Sequence, residues 1–391
     1  MHPDELLDKF ERLNVTKDPE SLQNIYVDCK KFAHVKIQSF PTSPFQFFDK
    51  CEEVGTLTKW LKDGTWVLNS TDGWPLLREN VCKFMQDGDK RRIRSYIGHD
   101  MASGFASYVP LPPGELEDMT GAFEFIKQWE HKNGKRYPDD CGMAIVCARH
   151  HLISLAMAPF GDEDVNFIAV AGEGYLFLWP DKQYVKKDLG IRSPSATVRK
   201  ICYAGFELEN LLTRSATDLG ESRFYSLVEG RLNENVRFLF KAEMDSCDSK
   251  GRYTEIKSST SFRRNNLQHR RKLLRIWIQT SLIPETNILV GFRDPQCNQL
   301  TALKCYSRLE IYKKFNSNDL PVSRNHYNFN ANISVQWFRH LMHHISKLES
   351  LRSKPSEGPK AFKFKLTKDC RLFLRQLPIV PQGMWPKELF S

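Results

Sequence analysis

The sequence contains no apolar run that approaches the ~18 residues needed to span a membrane. Its first residues, MHPDELLDKFERLN, are polar and acidic, so we expect neither a membrane span nor a signal peptide. The ten cysteines include no Cys-x-x-Cys pair and no regular spacing, which favours buried thiols in a reducing compartment. We expect an intracellular protein, with the cytoplasm favoured over the nucleus.

The sequence also lacks an internal repeat and a long linker rich in proline, glycine or serine, which excludes solenoids and favours one folding unit. AGEGY at 171–175 lacks the third glycine of a dinucleotide-binding motif. The histidines at 340, 343 and 344 do not form the HExxH pattern of a zinc protease. These absences leave a globular protein, and we predict a single α+β domain over residues 1–391.

Positive charge is in excess, because the 57 lysines and arginines outnumber the 47 aspartates and glutamates. The formal net charge is +10. A basic soluble protein attracts polyanions, of which nucleic acid is the commonest.

Apolar periodicity predicts several helices and strands. Residues 1–110 read as short irregular elements with a helix near Asp4–Leu13. Further helices are predicted at about 115–132, from residue 204 onwards, at 265–283 and at 333–348. The predicted strands are MAIVCA, FIAVA, YLFLW, VRFLFKAEMD, RYTEIKSS, NILVGFRD, LTALKCY and a final strand AFKFKL.

Acidic residues are concentrated in AEMDSCDSKGRYTEIKSS, residues 242–259. Alternation along VRFLFKAEMD puts Val236, Phe238 and Phe240 on one face and the charged residues, including Arg237 and Lys241, on the other. The short polar turn predicts a hairpin with RYTEIKSS. We therefore expect one polar surface to hold Glu243, Asp245, Glu255 and Lys257.

One lysine does not neutralise three adjacent carboxylates. Mg²⁺ or Mn²⁺ prefers oxygen ligands and would do so, and two such ions activate water in phosphodiesterases. The alternative is an exposed hairpin of mixed charge, which is common on β-proteins.

Several further segments of the chain resemble the motifs of one known family, in the same order along the sequence. CYAGFELENLL (202–212) resembles the G-Y-x-F-E element of the DXO family of RNA 5′-end decapping enzymes and exoribonucleases. The resemblance includes EMDSCD (243–248), EIK (255–257), VCARHHLISLAMAPF (146–160) and IQTSLIPETNILVGFRD (278–294), with a weaker match at EEVGTLT (52–58). The resemblance covers about residues 140–295, and the sequence is similar to the fungal members of the family.

The resemblance implies a single domain with two mixed β-sheets flanked by helices, and an active-site pocket between the sheets. It implies two divalent ions, Mg²⁺ or Mn²⁺, and assigns the ligands as Glu209, Glu243, Asp245, Glu255 and the backbone carbonyl of Ile256. Lys257 and Gln279 would flank the attacking water and the scissile phosphate, Glu209 would serve the second ion or its water, and Arg149 would bind RNA phosphate.

Two positions depart from the family pattern. His150 follows Arg149 where the family usually has glycine. Phe206 in Gly205–Glu209 stands where the family has tyrosine. These changes would affect which 5′ ends are accepted and would leave the metal ligands in place.

The implied function is removal of defective or unmethylated caps, or of an NAD cap, by cleavage after the first nucleotide, and 5′-to-3′ degradation of 5′-monophosphate RNA. The partner is an RNA 5′ end, and we expect a monomer without an obligate protein partner. Two alternatives stay open, namely a pyrophosphohydrolase that supports a nuclear exoribonuclease, and an RNA-binding scaffold with a decayed site.

A basic cluster precedes and opens the predicted helix at 265–283. Its arginines could follow an RNA backbone, as phosphate contacts do without reading sequence, or form a solvated helix face. The cluster comprises Arg263, Arg264, Arg270 and Arg271.

Overall fold

The computed structural model describes residues 25–26, 46–112, 114–161, 163–184, 190–216, 221–263, 266–316, 331–352, 358–368 and 371–390. Its helices are α1 (Glu79–Asp87), α2 (Thr120–Asn133), α3 (Arg149–Met157), α4 (Ala196–Leu212), α5 (Leu267–Ser281), α6 (Arg308–Phe315) and α7 (Ala331–Lys347).

The strands before the acidic segment are β1 (Ile25–Tyr26), β2 (Lys50–Trp60), β3 (Trp66–Leu68), β4 (Pro75–Leu77), β5 (Met143–Ala148), β6 (Val165–Gly172), β7 (Tyr175–Pro180), β8 (Thr213–Ser215) and β9 (Ser222–Asn233). The later strands are β10 (Val236–Glu243), β11 (Ser246–Cys247), β12 (Tyr253–Ser259), β13 (Asn287–Arg293), β14 (Leu300–Tyr306), β15 (Lys360–Leu366) and β16 (Arg371–Gln376).

The strands form two mixed sheets. The larger sheet has the order β1-β16-β15-β6-β7-β5-β10-β9-β2-β3, and the smaller has the order β14-β13-β12-β11-β4-β8. Strands β7, β5 and β10 are parallel neighbours, as are β12 with β13 and β11 with β4. Helix α2 packs on β2 and β3 of the larger sheet, and α4 packs on β12 of the smaller one. The predicted α+β class, with two mixed sheets flanked by helices, is confirmed.

The predicted hairpin between VRFLFKAEMD and RYTEIKSS is wrong, because these strands lie in different sheets. Both edges of β10 are occupied, one by β5 and the other by β9. After Glu243 the chain therefore leaves the larger sheet, and β12 pairs with β11 and β13 instead. The acidic segment crosses from one sheet to the other.

The larger sheet is buried on both faces. Phe238 and Phe240 belong to one core cluster, which also contains Ile288 of the smaller sheet. The opposite face belongs to a second cluster. Arg237 and Lys241 were expected on the polar surface, but they are 2% and 3% exposed and lie within this second layer. Their charges pack against aromatic rings, and they do not join the acidic residues.

Other elements agree closely with the sequence. The strand pairs β6–β7 and β13–β14 are antiparallel neighbours as predicted, and α7 covers the predicted late helix. Helix α4 begins at Ala196, before the predicted start, and AFKFKL is not the last strand because β16 pairs with it. The helix predicted near Asp4–Leu13 lies outside the described residues.

Each cysteine in the described ranges is a free thiol. Within those ranges no helix combines the length and the apolar character that crossing a bilayer requires. That the whole chain is one domain stays a prediction.

Candidate active site

Chain topology brings the predicted site residues together between the two sheets. Glu243 ends β10 of the larger sheet, and Glu255 lies in β12 of the smaller sheet. Asp245 lies on the crossing between them. Because β5 runs parallel to β10 with Ala148 opposite Lys241, Arg149 emerges next to the end of β10. The site is thus assembled at strand ends between the two sheets, and the pocket expected there stays a prediction.

Glu255 is the centre of the hydrogen-bond network and is 0% exposed. Its carboxylate accepts from Arg149 at 3.2 Å and from Lys257 at 2.5 Å. The side-chain amide of Gln279, which α5 provides, donates to the same carboxylate. Burial by itself raises the pKa of Glu255, but the Lys257 and Arg149 cations outweigh it, and the pKa falls below its ordinary value. Glu255 is therefore held as an anion.

Asp245 connects the crossing segment to β12. Its carboxylate accepts from the Ile256 backbone N–H at 2.8 Å and from the Lys257 ammonium at 2.9 Å. Burial and then the Glu255 charge raise the pKa of Asp245, in spite of the nearby lysine. A buried carboxyl group next to a carboxylate favours its protonated form unless a cation offsets the charge.

Glu209 faces the same cluster from α4. Burial, followed by the charge of Asp245, raises its pKa well above the ordinary value. Among the residues that the structure describes, none donates a hydrogen bond to its carboxylate. Glu243 differs, because the Arg223 guanidinium lies 2.5 Å from its carboxylate. For Glu209 and Asp245, the surrounding positive charge thus does not offset burial and the neighbouring carboxylates.

The donor set fits divalent metal ions. It consists of carboxylates, with one backbone carbonyl predicted at Ile256, and hard cations such as Mg²⁺ and Mn²⁺ prefer oxygen. Burial, and then the neighbouring carboxylates, raise the pKa values of Glu209 and Asp245, and a bound cation would stabilise both groups as anions. The ammonium of Lys257 supplies part of that charge between Asp245 and Glu255.

Arg149 is 6% exposed, and its guanidinium also donates to the Glu243 backbone carbonyl at 2.7 Å. These two contacts fix the arginine at the bottom of the cluster, and its predicted contact with RNA phosphate stays a prediction.

Sequence reasoning missed Arg223. This residue lies on β9, adjacent to β10, and contributes a cation to the cluster through Glu243. No motif marks it, since it comes from a strand that precedes the acidic segment. Arg223 lies close to Glu243 because β9 and β10 pair in a register that places Tyr225 opposite Glu243.

The position where the family has tyrosine is occupied by Phe206, whose ring stacks on Tyr108 at 5.2 Å. A tyrosine hydroxyl is nevertheless present one turn earlier in α4. Tyr203 donates to Glu207 at 2.8 Å, and Glu207 also bonds His99 at 2.6 Å.

The basic cluster does not act as one surface. Arg270 is 4% exposed, and its guanidinium donates to the Phe315 carbonyl at 3.1 Å. It packs α5 against α6 and is withdrawn as an RNA contact. Arg263 is exposed and Arg271 half-buried, and their contact with RNA stays a prediction. Arg264 lies outside the described residues.

The raised pKa of Asp245 predicts a specific pH effect in metal-free protein. Because the folded pKa is raised, protonated Asp245 stabilises the fold at low pH, and this contribution is lost as pH rises from the unfolded value of about 3.9 through the folded value. With a chelator present, we compare the melting temperatures of Asp245→Asn and wild-type protein at each pH. We expect this difference to shift in favour of the variant by about 2 to 4 °C as the pH rises from about 5 to about 7.5.

Asp248→Asn is the matched control, because hydrogen bonds from Arg252 overcome burial and lower the pKa of this aspartate. Its stabilising effect is lost only at acid pH, so its difference from wild type should stay constant over the same range. Mg²⁺ should reverse the order of wild type and Asp245→Asn, since an ion that binds only the folded state stabilises it. An unchanged difference for Asp245→Asn across this range would contradict the assignment.

Comparison with known proteins gives a consistent result. A family model described as RAI1-like PD-(D/E)XK nuclease matches residues 73–387. Decapping and exoribonuclease protein 1 of Kluyveromyces lactis is 33% identical over 371 residues, covering 93% of this chain and 90% of that protein. The Saccharomyces cerevisiae protein of the same name is 30% identical over 387 residues, covering 94% of this chain and 86% of the relative.

Solved structures agree. K. lactis Dxo1 in complex with manganese matches with a TM-score of 0.73 and 29% identity, over 92% of this chain and 100% of that one. Candida albicans Rai1 in complex with pU5 and Mn²⁺ matches with a TM-score of 0.67 over 89% of this chain and 98% of that one. Its 16% identity shows the shared fold alone.

Proposed function

The chain belongs to the family of RAI1-like PD-(D/E)XK nucleases, and on that premise we propose that it is a divalent-metal-dependent hydrolase of RNA 5′ ends. It removes defective or unmethylated caps by phosphodiester cleavage, and it degrades 5′-monophosphate RNA from 5′ to 3′. The observation that carries the proposal is the meeting of Glu243 and Asp245 with Glu255 and Lys257 across the gap between the two sheets.

The residues fit the metal chemistry of such an enzyme. Bound divalent ions would activate the attacking water and stabilise the leaving oxygen. We assign their ligands to the four acids and one carbonyl predicted from the sequence, namely Glu209, Glu243, Asp245, Glu255 and Ile256. The use of a divalent ion is supported by a relative, because the K. lactis structure is a complex with manganese.

The other side chains of the site position the substrate. Lys257 is part of the network around Glu255, and its ammonium offers charge to the phosphate as negative charge develops in the transition state. Gln279 is held on the same carboxylate and can orient the water by hydrogen bonding. The planar guanidinium of Arg149 is suited to phosphate oxygens.

One arrangement accounts for several 5′ ends. Cleavage after the first nucleotide releases an unmethylated cap as a dinucleotide and an NAD cap as intact NAD. The same cleavage shortens a 5′-monophosphate RNA by one nucleotide at a time. These are one hydrolysis with different leaving 5′ groups.

We also propose that the protein works as a monomer on RNA 5′ ends, in the cytoplasm. Light scattering of the purified full chain and imaging of a tagged chain in its own cell test these two points. A stable dimer, or a signal confined to the nucleus, would contradict them.

The test of function uses the purified chain with Mg²⁺ or Mn²⁺ and one RNA carrying a 5′-monophosphate, a triphosphate, an unmethylated cap or a methylated cap. We expect release of a cap dinucleotide from the unmethylated cap and shortening of the monophosphate RNA. Both activities should be lost in Glu243→Ala/Asp245→Ala protein. Release of pyrophosphate alone would identify a pyrophosphohydrolase, and RNA binding without hydrolysis would identify a scaffold.

A further inference from the structure

Three metal-ligating side chains meet outside the acidic cluster, at the start of α3. The Glu117 carboxylate lies 2.8 Å from Nε2 of His150 and 3.2 Å from Nε2 of His151. The two imidazole rings have centroids 4.3 Å apart. All three ligand atoms lie within 4.8 Å of one another, so small side-chain rotations bring them to the ~2.0–2.2 Å bond lengths of one bound ion. Within the part of the chain that the structure describes, no other three ligand atoms of histidine, cysteine or acidic side chains lie this close together, and the carboxylates of the acidic cluster are more widely spaced.

His151 is buried without a hydrogen bond. It is 3% exposed, and neither of its ring nitrogens has a partner of hydrogen-bonding geometry in the structure. Its Nε2 points to the Glu117 carboxylate at 3.2 Å but is not aligned for a hydrogen bond. A buried polar group without a partner costs free energy, and a ligand at this position would satisfy it.

Electrostatics favours neutral imidazole, the form that binds metals. Two adjacent imidazolium ions would repel each other, and one carboxylate balances only one of them. Burial, and then the charge of His150, lower the pKa of His151 to about 4. Burial raises the pKa of Glu117, but the two histidines outweigh it and hold the pKa well below its ordinary range. The group therefore offers a carboxylate and at least one neutral imidazole at neutral pH.

The group opens onto a cavity of about 590 Å³ that all three side chains line. Two imidazole nitrogens and one carboxylate, with an open fourth position, form the ligand set of many three-residue zinc sites. Nitrogen ligands favour zinc and its neighbours in the transition series, whereas an all-oxygen cluster favours magnesium and manganese. The two groups of side chains in this chain thus select different ions.

We propose that Glu117, His150 and His151 form a second metal site, which binds Zn²⁺ or a similar transition-metal ion with its fourth position open to the cavity. The ion ties the 3₁₀ turn Glu115–Glu117 to the first turn of α3, directly after Arg149. His150 is the residue that departs from the glycine expected of the family, so it supplies a ligand that the usual pattern lacks. The site does not depend on the proposed reaction.

Cobalt spectroscopy distinguishes this site from the acidic cluster. Four-coordinate Co²⁺ with imidazole ligands absorbs visible light far more strongly than six-coordinate Co²⁺ among oxygen ligands. The full chain, stripped of metal by chelator, is titrated with Co²⁺ and then with Zn²⁺. The variants are His150→Gln, His151→Gln and Glu243→Ala/Asp245→Ala, with His340→Gln as a matched control for an exposed helix histidine.

We expect intense visible bands that saturate at one equivalent of Co²⁺ and disappear when Zn²⁺ is added. The bands should persist in Glu243→Ala/Asp245→Ala and His340→Gln protein and be lost in both His150→Gln and His151→Gln protein. Zn²⁺ should raise the melting temperature of wild type and leave that of His150→Gln unchanged. The His150 side chain is 39% exposed, so this variant should fold even if His151→Gln does not.

Weak bands in wild type would overturn the proposal. So would intense bands that survive in His150→Gln protein, or that vanish with the acidic cluster alone. Any of these three results would leave Glu117 and His150 as a hydrogen-bonded pair beside His151, with no metal site among the three residues.

Discussion

Replacing Glu255 by glutamine is expected to lower the rate of RNA hydrolysis by about 10³-fold, because bound divalent ions supply several kcal/mol of charge stabilisation and about 1.4 kcal/mol is a factor of ten. Glu255 is fully buried and is the shared acceptor for Arg149, Lys257 and Gln279. An amide carries no charge for the ion and turns one acceptor oxygen into a donor. One substitution thus affects a metal ligand and the three side chains arranged around it.

The measurement is the single-turnover rate on 5′-monophosphate RNA at saturating Mn²⁺. Glu229→Gln is the matched control, because Glu229 is 7% exposed, lies on β9 next to β10, and accepts a hydrogen bond from Tyr137 at 2.8 Å. The Glu229→Gln substitution should change the melting temperature more than the single-turnover rate. If the single-turnover rate of Glu255→Gln protein stays within tenfold of wild type, Glu255 is not a metal ligand.

Replacing Lys257 by methionine is the second large effect, and we expect kcat to fall by about 10² to 10³-fold, the usual loss when one donor to a developing negative charge is removed. The ammonium lies between Asp245 and Glu255 at 2.9 and 2.5 Å. The neighbouring carboxylates overcome burial and raise the pKa of Lys257 above its ordinary value. The lysine is therefore charged throughout the neutral range and acts as a fixed cation.

Kinetics separate this role from simple binding. A group that acts in the transition state changes kcat more than KM, and Lys257→Arg should restore part of the rate because it keeps the charge. Lys241→Met is the control. Lys241 is also a buried lysine, with its pKa lowered to about 8 by burial, but its ammonium donates to the Asp118 carbonyl at 2.5 Å. A Lys257→Met protein that differs from wild type only in KM would contradict the catalytic role.

The sequence predicted which charged side chains lie together better than it predicted the strand pairing. Alternation shows which side chains share a face of one strand, and the charged ends of VRFLFKAEMD and RYTEIKSS were correctly expected to meet. Alternation does not show which strand pairs with which. The hairpin failed because β5 and β9 already occupy both edges of β10.

Burial of charged residues was the other source of error. Arg270 has the same four-residue spacing as Leu274 and Ile278, both 0% exposed, and this spacing places it on the buried face of α5. The helical period could have excluded it from the RNA surface. No comparable pattern predicted the burial of Lys241 and Arg237, because a strand in the middle of a sheet can be covered on both faces.

Contacts between distant segments were beyond sequence reasoning. Arg223 reaches Glu243 through the register of two antiparallel strands, and Glu117 reaches His150 across 33 positions of the chain. Neither pair has a local pattern. The departure at His150 was visible in the sequence, but its partner was not, because only the fold brings the turn at Glu117 to the start of α3.

The proposed metal site is best tested by a crystal structure of the chain with Mn²⁺ and a short 5′-monophosphate RNA, in which anomalous scattering locates the manganese. We expect manganese between the two sheets, coordinated by Glu243, Asp245 and Glu255, with Glu209 serving a second ion and the first phosphodiester beside Lys257. Manganese absent from this cluster, or found only at Glu117, His150 and His151, would contradict it.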